Sequence, residues 1–259
     1  MPELPDVLLY VSAMERYIAG SVLQQLIIRS PFVLRTFEVD ASELHGKRVE
    51  TVSRLGKRLV IGFDEDLFVV VHLMIAGRFH WKKTGTMPKG KVDLAAFQFA
   101  SGTMMLTEAS NKKRAGLWIV RGRVAVDALH TPGINPLEAS FEEFRLVLCL
   151  SNNTLKRALT DPKRFDGIGN AYSDEILHRA RLSPLQWTSR LTNEETQSLW
   201  GASRETLREW IDRLQTQNGM AFPERVTAFR PDMAVHGRYG EPCPVCQRPV
   251  QRIRYADNE

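Results

Sequence analysis

The apolar residues of this chain change their period once, at the proline- and glycine-rich stretch His130 to Leu137 (HTPGINPL). That break constrains the fold more than any other feature, because strand-like and helix-like patterns lie on opposite sides of it. From Val22 to about Gly122, short β-branched and aromatic runs alternate with turns. Arg58 to Phe63 and Leu67 to Met74 flank Asp64-Glu65-Asp66, and Ala95 to Ala100 and Thr103 to Thr107 flank Ser101-Gly102. Such hairpin spacing predicts an antiparallel sandwich or barrel. Ahead of it, Val7, Val11, Met14 and Ile18 fall at helical spacing, with Pro5 suited to a first helical position and Gly20 to a stop. Beyond the break the pattern is helical. Ser140 with Glu143 and Thr192 with Glu195 form candidate capping boxes, the second leading into Trp200, Ser203, Leu207, Trp210 and Leu214. Ala221 to Ala234 shows no period and is expected to be a long mobile loop.

At 259 residues, the chain is long enough for two or three cores. No stretch approaches the roughly 18 uninterrupted apolar residues of a membrane span, and acids stand at the N-terminus where a signal peptide carries bases. A cytoplasmic protein is expected, associated with the nucleoid in a bacterium. The three cysteines, Cys149, Cys243 and Cys246, are too few and odd in number for a secreted disulfide framework. The net charge is only +5, yet Asn111 to Arg123 holds Lys112, Lys113, Arg114, Arg121 and Arg123 with no acid. Such a run suits a polyanion, and equally a solvated surface.

Four stretches carry candidate chemistry. The start, MPELPD, crowds two prolines and two acids into six residues. LGKRL spans Leu55 to Leu59. In KRFDGIGNAYSDEIL, a glycine turn (Gly167-Ile168-Gly169) opens a helix at Asn170, where free backbone N–H groups can hold a phosphate. HGRYGEPCPVC ends in C-x-x-C at Cys243 and Cys246, half of a zinc ribbon or an ordinary pair of thiols.

Together and in this order, these motifs resemble the formamidopyrimidine-DNA glycosylase and endonuclease VIII family over nearly the whole chain. The resemblance implies an α+β architecture. Residues 1–130 would form the catalytic β-sandwich with its N-terminal helix, residues 131–225 a helix-two-turn-helix DNA-binding domain, and residues 226–259 a loop and a truncated zinc-finger-like hairpin. It also implies a bifunctional DNA glycosylase and abasic-site lyase, acting as a monomer on damaged or abasic double-stranded DNA. Pro2, exposed by removal of Met1, would be the nucleophile at the deoxyribose C1′. Glu3 would protonate the sugar ring oxygen, and Lys57 would contact the lesion and assist proton transfer from a strand. The chemistry is sound on its own terms. An α-amino group titrates near about 7.8 against about 10.4 for lysine, so roughly a tenth is free base at neutral pH. A secondary amine, moreover, gives an electron-withdrawing iminium with a sugar carbon.

By the same resemblance, His72, Met74 and Ile75 in VHLMIAGR, with Lys113 and Arg114 in NKKRAG, would meet the DNA. Ile75 stands at the place of a void-filling methionine. Lys113 and Ala115 stand where an arginine and a wedge phenylalanine lie, and an alanine cannot wedge between bases. Lys91 replaces a DNA-contacting histidine, Lys156 and Asn170 match phosphate contacts, and Arg238 precedes the finger. Zinc is the implied metal, but Cys243 and Cys246 supply only half of a four-coordinate site, and Asn258 stands where the finger's phosphate-binding arginine is expected. These departures favour the rival reading, a damage-binding protein without the chemistry. Pro2, Glu3 and Lys57 together oppose it. A zinc-ribbon adaptor without DNA contact leaves the basic run and the glycine turn unexplained. Base specificity is expected to sit in the loop from Gln217 to Met233.

Overall fold

A computed structural model describes residues 1–224 and 226–253. The chain divides into two compact units. The first comprises Met1–Pro2, Asp6–His130 and Leu214–Val226, and the second Glu3–Pro5, Thr131–Arg213 and Thr227–Glu259. Among the described residues, no helix is long and apolar enough to cross a membrane.

Helix α1 (Leu4–Ile18) belongs to the first unit from Asp6 onward, and its Val7, Tyr10, Met14 and Ile18 are fully buried. The helix opens one residue before Pro5, which therefore takes its second position, where a missing N–H still costs no helical bond. Eight strands follow: β1 (Gln25–Ile28), β2 (Val49–Leu55), β3 (Arg58–Phe63), β4 (Leu67–His72), β5 (Gly77–Lys82), β6 (Asp93–Phe99), β7 (Gly102–Glu108) and β8 (Gly116–Arg121). They pair antiparallel into two four-stranded sheets, ordered β1-β6-β7-β5 and β2-β3-β4-β8. The alternative between sandwich and barrel thus resolves to a sandwich. The expected Asp64–Asp66 turn joins β3 to β4, with Glu65 and Asp66 both at positive φ, the left-handed geometry a tight hairpin turn needs.

One core runs through this unit, from Tyr10 and Met14 of α1 through Ile61, Val69, Phe79 and Phe97 of the strands to Phe222 and Val226. Phe222 packs on Tyr17 and Trp81, with ring centroids 5.4 and 6.0 Å away, and its N–H donates to the Tyr17 hydroxyl. These contacts oppose the expectation of a mobile loop at its first end. A short helix, α2 (Arg123–Asp127), covers the outer face of β4 and β8 by burying Val126 against Val70 and Val120.

The second unit is helical: α3 (Phe141–Leu148), α4 (Leu155–Thr160), α5 (Asn170–Ala180) and α6 (Asn193–Asn218), whose last residues fall in the first unit. Both capping boxes form. Ser140 and Glu143 exchange side-chain and backbone bonds, and Thr192 and Glu195 do the same at 2.9 and 3.1 Å. Tyr172 packs edge-on to Trp210, and Phe144 against Phe165. Met233 is fully buried at the loop's far end. Among the described residues, the region of the implied finger forms a turn around Cys243 and Cys246 with a bridge from Pro242 to Pro249, and the expectation for Asn258 lies outside the described residues.

Candidate active site

The glycine turn and the N-terminus meet through Glu3. Helix α5 begins after Gly169, which has no side chain to cap the first turn. Glu3 supplies the cap from the far end of the sequence. Its carboxylate accepts the N–H groups of Gly169 (2.7 Å), Ala171 (2.9 Å) and Tyr172 (3.2 Å), and its side chain is buried. A carboxylate suits this place because the first N–H groups of a helix lack intrahelical partners and carry the positive end of its dipole. The glycines are required by space as well as conformation. A Cβ on Gly169 would lie 2.5 Å from the Glu3 carboxyl, and one on Gly167, which is at φ +87°, would lie 2.7 Å from Leu4 Cβ. The Leu4 N–H bonds to the Gly167 carbonyl at 2.9 Å, completing the clamp.

In the first unit, Pro2 is buried while Met1 remains partly exposed. Lys57, expected on a strand, sits instead in the turn Gly56-Lys57 between β2 and β3, with Gly56 at φ +66°. The correction has a local cause, since a two-residue hairpin needs a residue free to adopt positive φ. Across the sheet from Arg58 is His72, its register partner at the end of β4. Burial, then the positive charges of Arg58, Lys57 and the chain terminus, push the His72 imidazole down to about 4. The terminal amine and Lys57 therefore share one electrostatic environment around a neutral histidine. The His72 Nδ1 accepts the Met74 N–H at 3.2 Å.

His72 has a measurable consequence. In the unfolded chain, a histidine takes up its proton near about pH 6.5, whereas folded His72 resists until about 4. Stability should therefore fall as pH drops through that window, by up to about 3 kcal/mol, and be unaffected above it. Asparagine can keep the acceptor for Met74 without titrating. His72→Asn should flatten the urea-unfolding free energy between pH 6.5 and 4, and an unchanged slope would assign the loss to other groups.

This frame matches known proteins across the whole chain. The pattern of the formamidopyrimidine-DNA glycosylase N-terminal domain covers residues 1–116, and that of the formamidopyrimidine-DNA glycosylase H2TH domain covers residues 133–220. A formamidopyrimidine-DNA glycosylase of Desulfitobacterium hafniense is 30% identical over 99% of this chain and 96% of its own length. The chain belongs to the formamidopyrimidine-DNA glycosylase family. The crystal structure of the family member from Thermus thermophilus superposes with a TM-score of 0.82 at 30% identity, covering 99% of this chain and 95% of that one. The Lactococcus lactis enzyme, bound non-covalently to DNA containing an abasic site, gives 0.84 at 26% identity, covering 98% and 95%.

Several residues that the family resemblance assigns to DNA are already engaged within the protein. Met74 adopts φ +51°, unusual for a side chain of its size, and turns Ile75 outward to 61% exposure. Lys91, Lys113 and Arg114 are exposed, but Ala115 is buried at 2% and presents nothing to a base stack. The Lys113 ammonium donates to the Glu108 carbonyl, while the Glu108 carboxylate accepts the N–H groups of Arg114 and Ala115.

In the second unit, Lys156 donates to the carbonyl of Asn170 at 2.7 Å and pairs with Asp174, which also holds His236 at 2.8 Å. Neighbouring Glu175 accepts the N–H groups of Ala234, Val235 and His236 at 2.8, 2.9 and 2.9 Å. Sequence reasoning passed over both acids, although DEIL carries them as adjacent carboxylates on α5. Arg238 braces its own loop, donating to Glu241 and to the carbonyls of Pro231 and Met233.

Cys243 is held well below the usual thiol range, at about 6, by the N–H groups of Cys246 and Val245 and then by His178, whose Nε2 lies 3.3 Å from its sulfur. Among the described residues, no group of three or more His, Cys, Asp or Glu side chains is placed to hold a metal ion. Among the described residues, the donors around Cys243 and Cys246 thus fall short of the four that structural zinc, the metal implied by the family, takes.

Proposed function

We propose that the chain is a bifunctional DNA glycosylase and abasic-site lyase of base excision repair that uses Pro2 as its nucleophile. The observation carrying this reading is the local anchoring of the N-terminus. Pro2 is buried, its chain neighbour Glu3 is bonded to three backbone N–H groups, and the terminal charge shares its surroundings with Lys57 and His72. The charges of Lys57 and the chain terminus both act on His72, which brings Pro2's end of the chain beside the lysine that the reading pairs with it.

With Met1 removed, the Pro2 nitrogen attacks C1′ as the damaged base leaves, and a proton delivered through Glu3 opens the sugar ring. The resulting iminium withdraws electrons from C2′. Loss of a C2′ proton expels the 3′ phosphate, and a second elimination expels the 5′ phosphate. Lys57 contacts the lesion and assists proton transfer. Residues 1–130 act as the catalytic domain, residues 131–225 as the DNA-binding domain with Lys156 and Asn170 toward phosphates, and residues 226–259 as loop and finger remnant. His72, Met74, Ile75, Lys91, Lys113, Arg114 and Arg238 serve the DNA, and the protein works as a monomer. No step passes through zinc.

The DNA class is supported by relatives. The Lactococcus lactis enzyme has been crystallised with DNA containing an abasic site and, at 26% identity, with DNA containing an oxidised pyrimidine. A duplex with one abasic site tests the reading. The wild-type chain should nick it, and Glu3→Gln should slow nicking at least about 100-fold, the scale of a lost acid-base group. Binding without nicking would leave the non-catalytic damage-binding protein.

A further inference from the structure

An open groove of about 450 Å³ in the first unit is lined by Arg29, Phe32, Lys91, Asp93, Leu94 and Lys113 among others. Three cations face one acid. The Asp93 carboxylate is occupied, accepting the N–H groups of Lys89 and Gly90 at 2.9 and 2.7 Å. Arg29 and Lys91 are exposed and have no ion pair among the described residues, and the Lys113 ammonium keeps donors beyond the one it gives to Glu108. The groove is therefore a net cationic channel.

Phe32 is the anomaly in it, a phenylalanine 79% exposed beside these charges and without a ring partner among the described residues. Its exposure is built in. Phe32 lies in a single 3-10 turn, Pro31–Val33, opened by proline and pinned by the buried Val33. The N–H groups of Arg29 and Ser30 both reach the Leu94 carbonyl at 2.9 and 3.1 Å, and the Arg35 N–H bonds to Leu117 on β8 at 2.8 Å. The turn holds the ring out in the groove that Lys113 also lines, and Lys113 stands two residues before the buried Ala115.

We propose that this groove holds a DNA strand, with phosphates on Arg29, Lys91 and Lys113 and with Phe32 stacked on a nucleobase that has lost its pairing partner. The inference rests on the glycosylase reading above and assigns Phe32 the stacking contact that Ala115 does not make. Cations that track a backbone, set next to an aromatic face, are the arrangement that engages unstacked bases, because every base offers a π-face. A phenylalanine side chain has only two torsions to fix on binding, and the turn that carries it is already formed.

The test uses the full chain and two duplexes, one fully paired and one carrying 2-aminopurine opposite a tetrahydrofuran abasic analogue. Wild-type protein should bind the second more tightly and quench its fluorescence. Phe32→Leu should weaken binding to that duplex about tenfold and remove the quenching, with the paired duplex changed less than about twofold. Phe32→Trp should restore both. Lys91→Ala should weaken both duplexes and lower the salt slope by about one. Unchanged binding and quenching in Phe32→Leu overturns the inference, as does a failure of Phe32→Trp to restore them, which would reduce Phe32 to an apolar contact. Nicking of a natural abasic site by the same proteins separates the two readings. A wild-type chain that shows quenching without nicking sinks the lyase, and one that nicks with quenching indifferent to Phe32 sinks only the stacking role.

Discussion

Replacing Glu3 by alanine should unfold the second unit's α5 at its start and cost about 3 kcal/mol or more. Three backbone donors, those of Gly169, Ala171 and Tyr172, lose their shared acceptor, and all three belong to buried residues. Each buried donor left unsatisfied costs about 1–3 kcal/mol, which entering water offsets only in part, and the favourable charge at the helix N-terminus is lost with them. Urea unfolding at pH 7 measures the loss. A change below about 1 kcal/mol would mean that the carboxylate is not the cap. Gly169→Ala should reproduce much of this effect while leaving Glu3 in the chain, because its Cβ would lie 2.5 Å from the carboxyl and displace it. A Gly169→Ala protein as stable as wild type would contradict the close approach on which the anchoring depends.

Glu175→Ala should act at the other end of α5. The lost carboxylate holds the successive N–H groups of Ala234, Val235 and His236, just beyond the loop from Gln217 to Met233 that is expected to carry base specificity. Removing it should lower hydrogen-exchange protection of those amides by about 100-fold, equivalent to roughly 3 kcal/mol of local stability, while the strands β3 and β4 of the first unit exchange as before. Protection that survives would show that the segment is held by other contacts, such as Met233, which is fully buried. The neighbouring Asp174 gives the effect a functional reach, since it ties His236 to Lys156. Under the phosphate-binding role proposed for Lys156, losing that tie should leave it less well placed.

What could be read from the sequence was local. The capping boxes of Ser140 with Glu143 and Thr192 with Glu195, and the Asp64–Asp66 turn, depend on residues a few positions apart, and all are present. The change from strand to helix period at HTPGINPL likewise reflects which faces are buried. What escaped was polar and distant. Glu3 caps a helix 166 residues away, Glu175 holds a segment about 60 residues on, and His178 reaches Cys243 across 65. A hydrogen bond between such positions imposes no period on the residues around it, so nothing in the pattern marks it. Lys57 missed its strand because hairpin ends turn on single residues, and Gly56 takes the positive φ that places the turn there. The resemblance implied roles for Pro2, Glu3 and Lys57, but not how Glu3 is held.

The central claim is that the N-terminal imino group does the chemistry, and the most direct measurement is to locate the covalent bond. Abasic-site DNA should be incubated with the protein and sodium borohydride, the adduct digested, and the modified peptide sequenced by mass spectrometry. The account predicts a mature chain beginning at Pro2, with the sugar on the Pro2 nitrogen, and no adduct from Pro2→Gly above about 1% of wild type. An adduct on Lys57 or any other lysine, or trapping undiminished in Pro2→Gly, would contradict it.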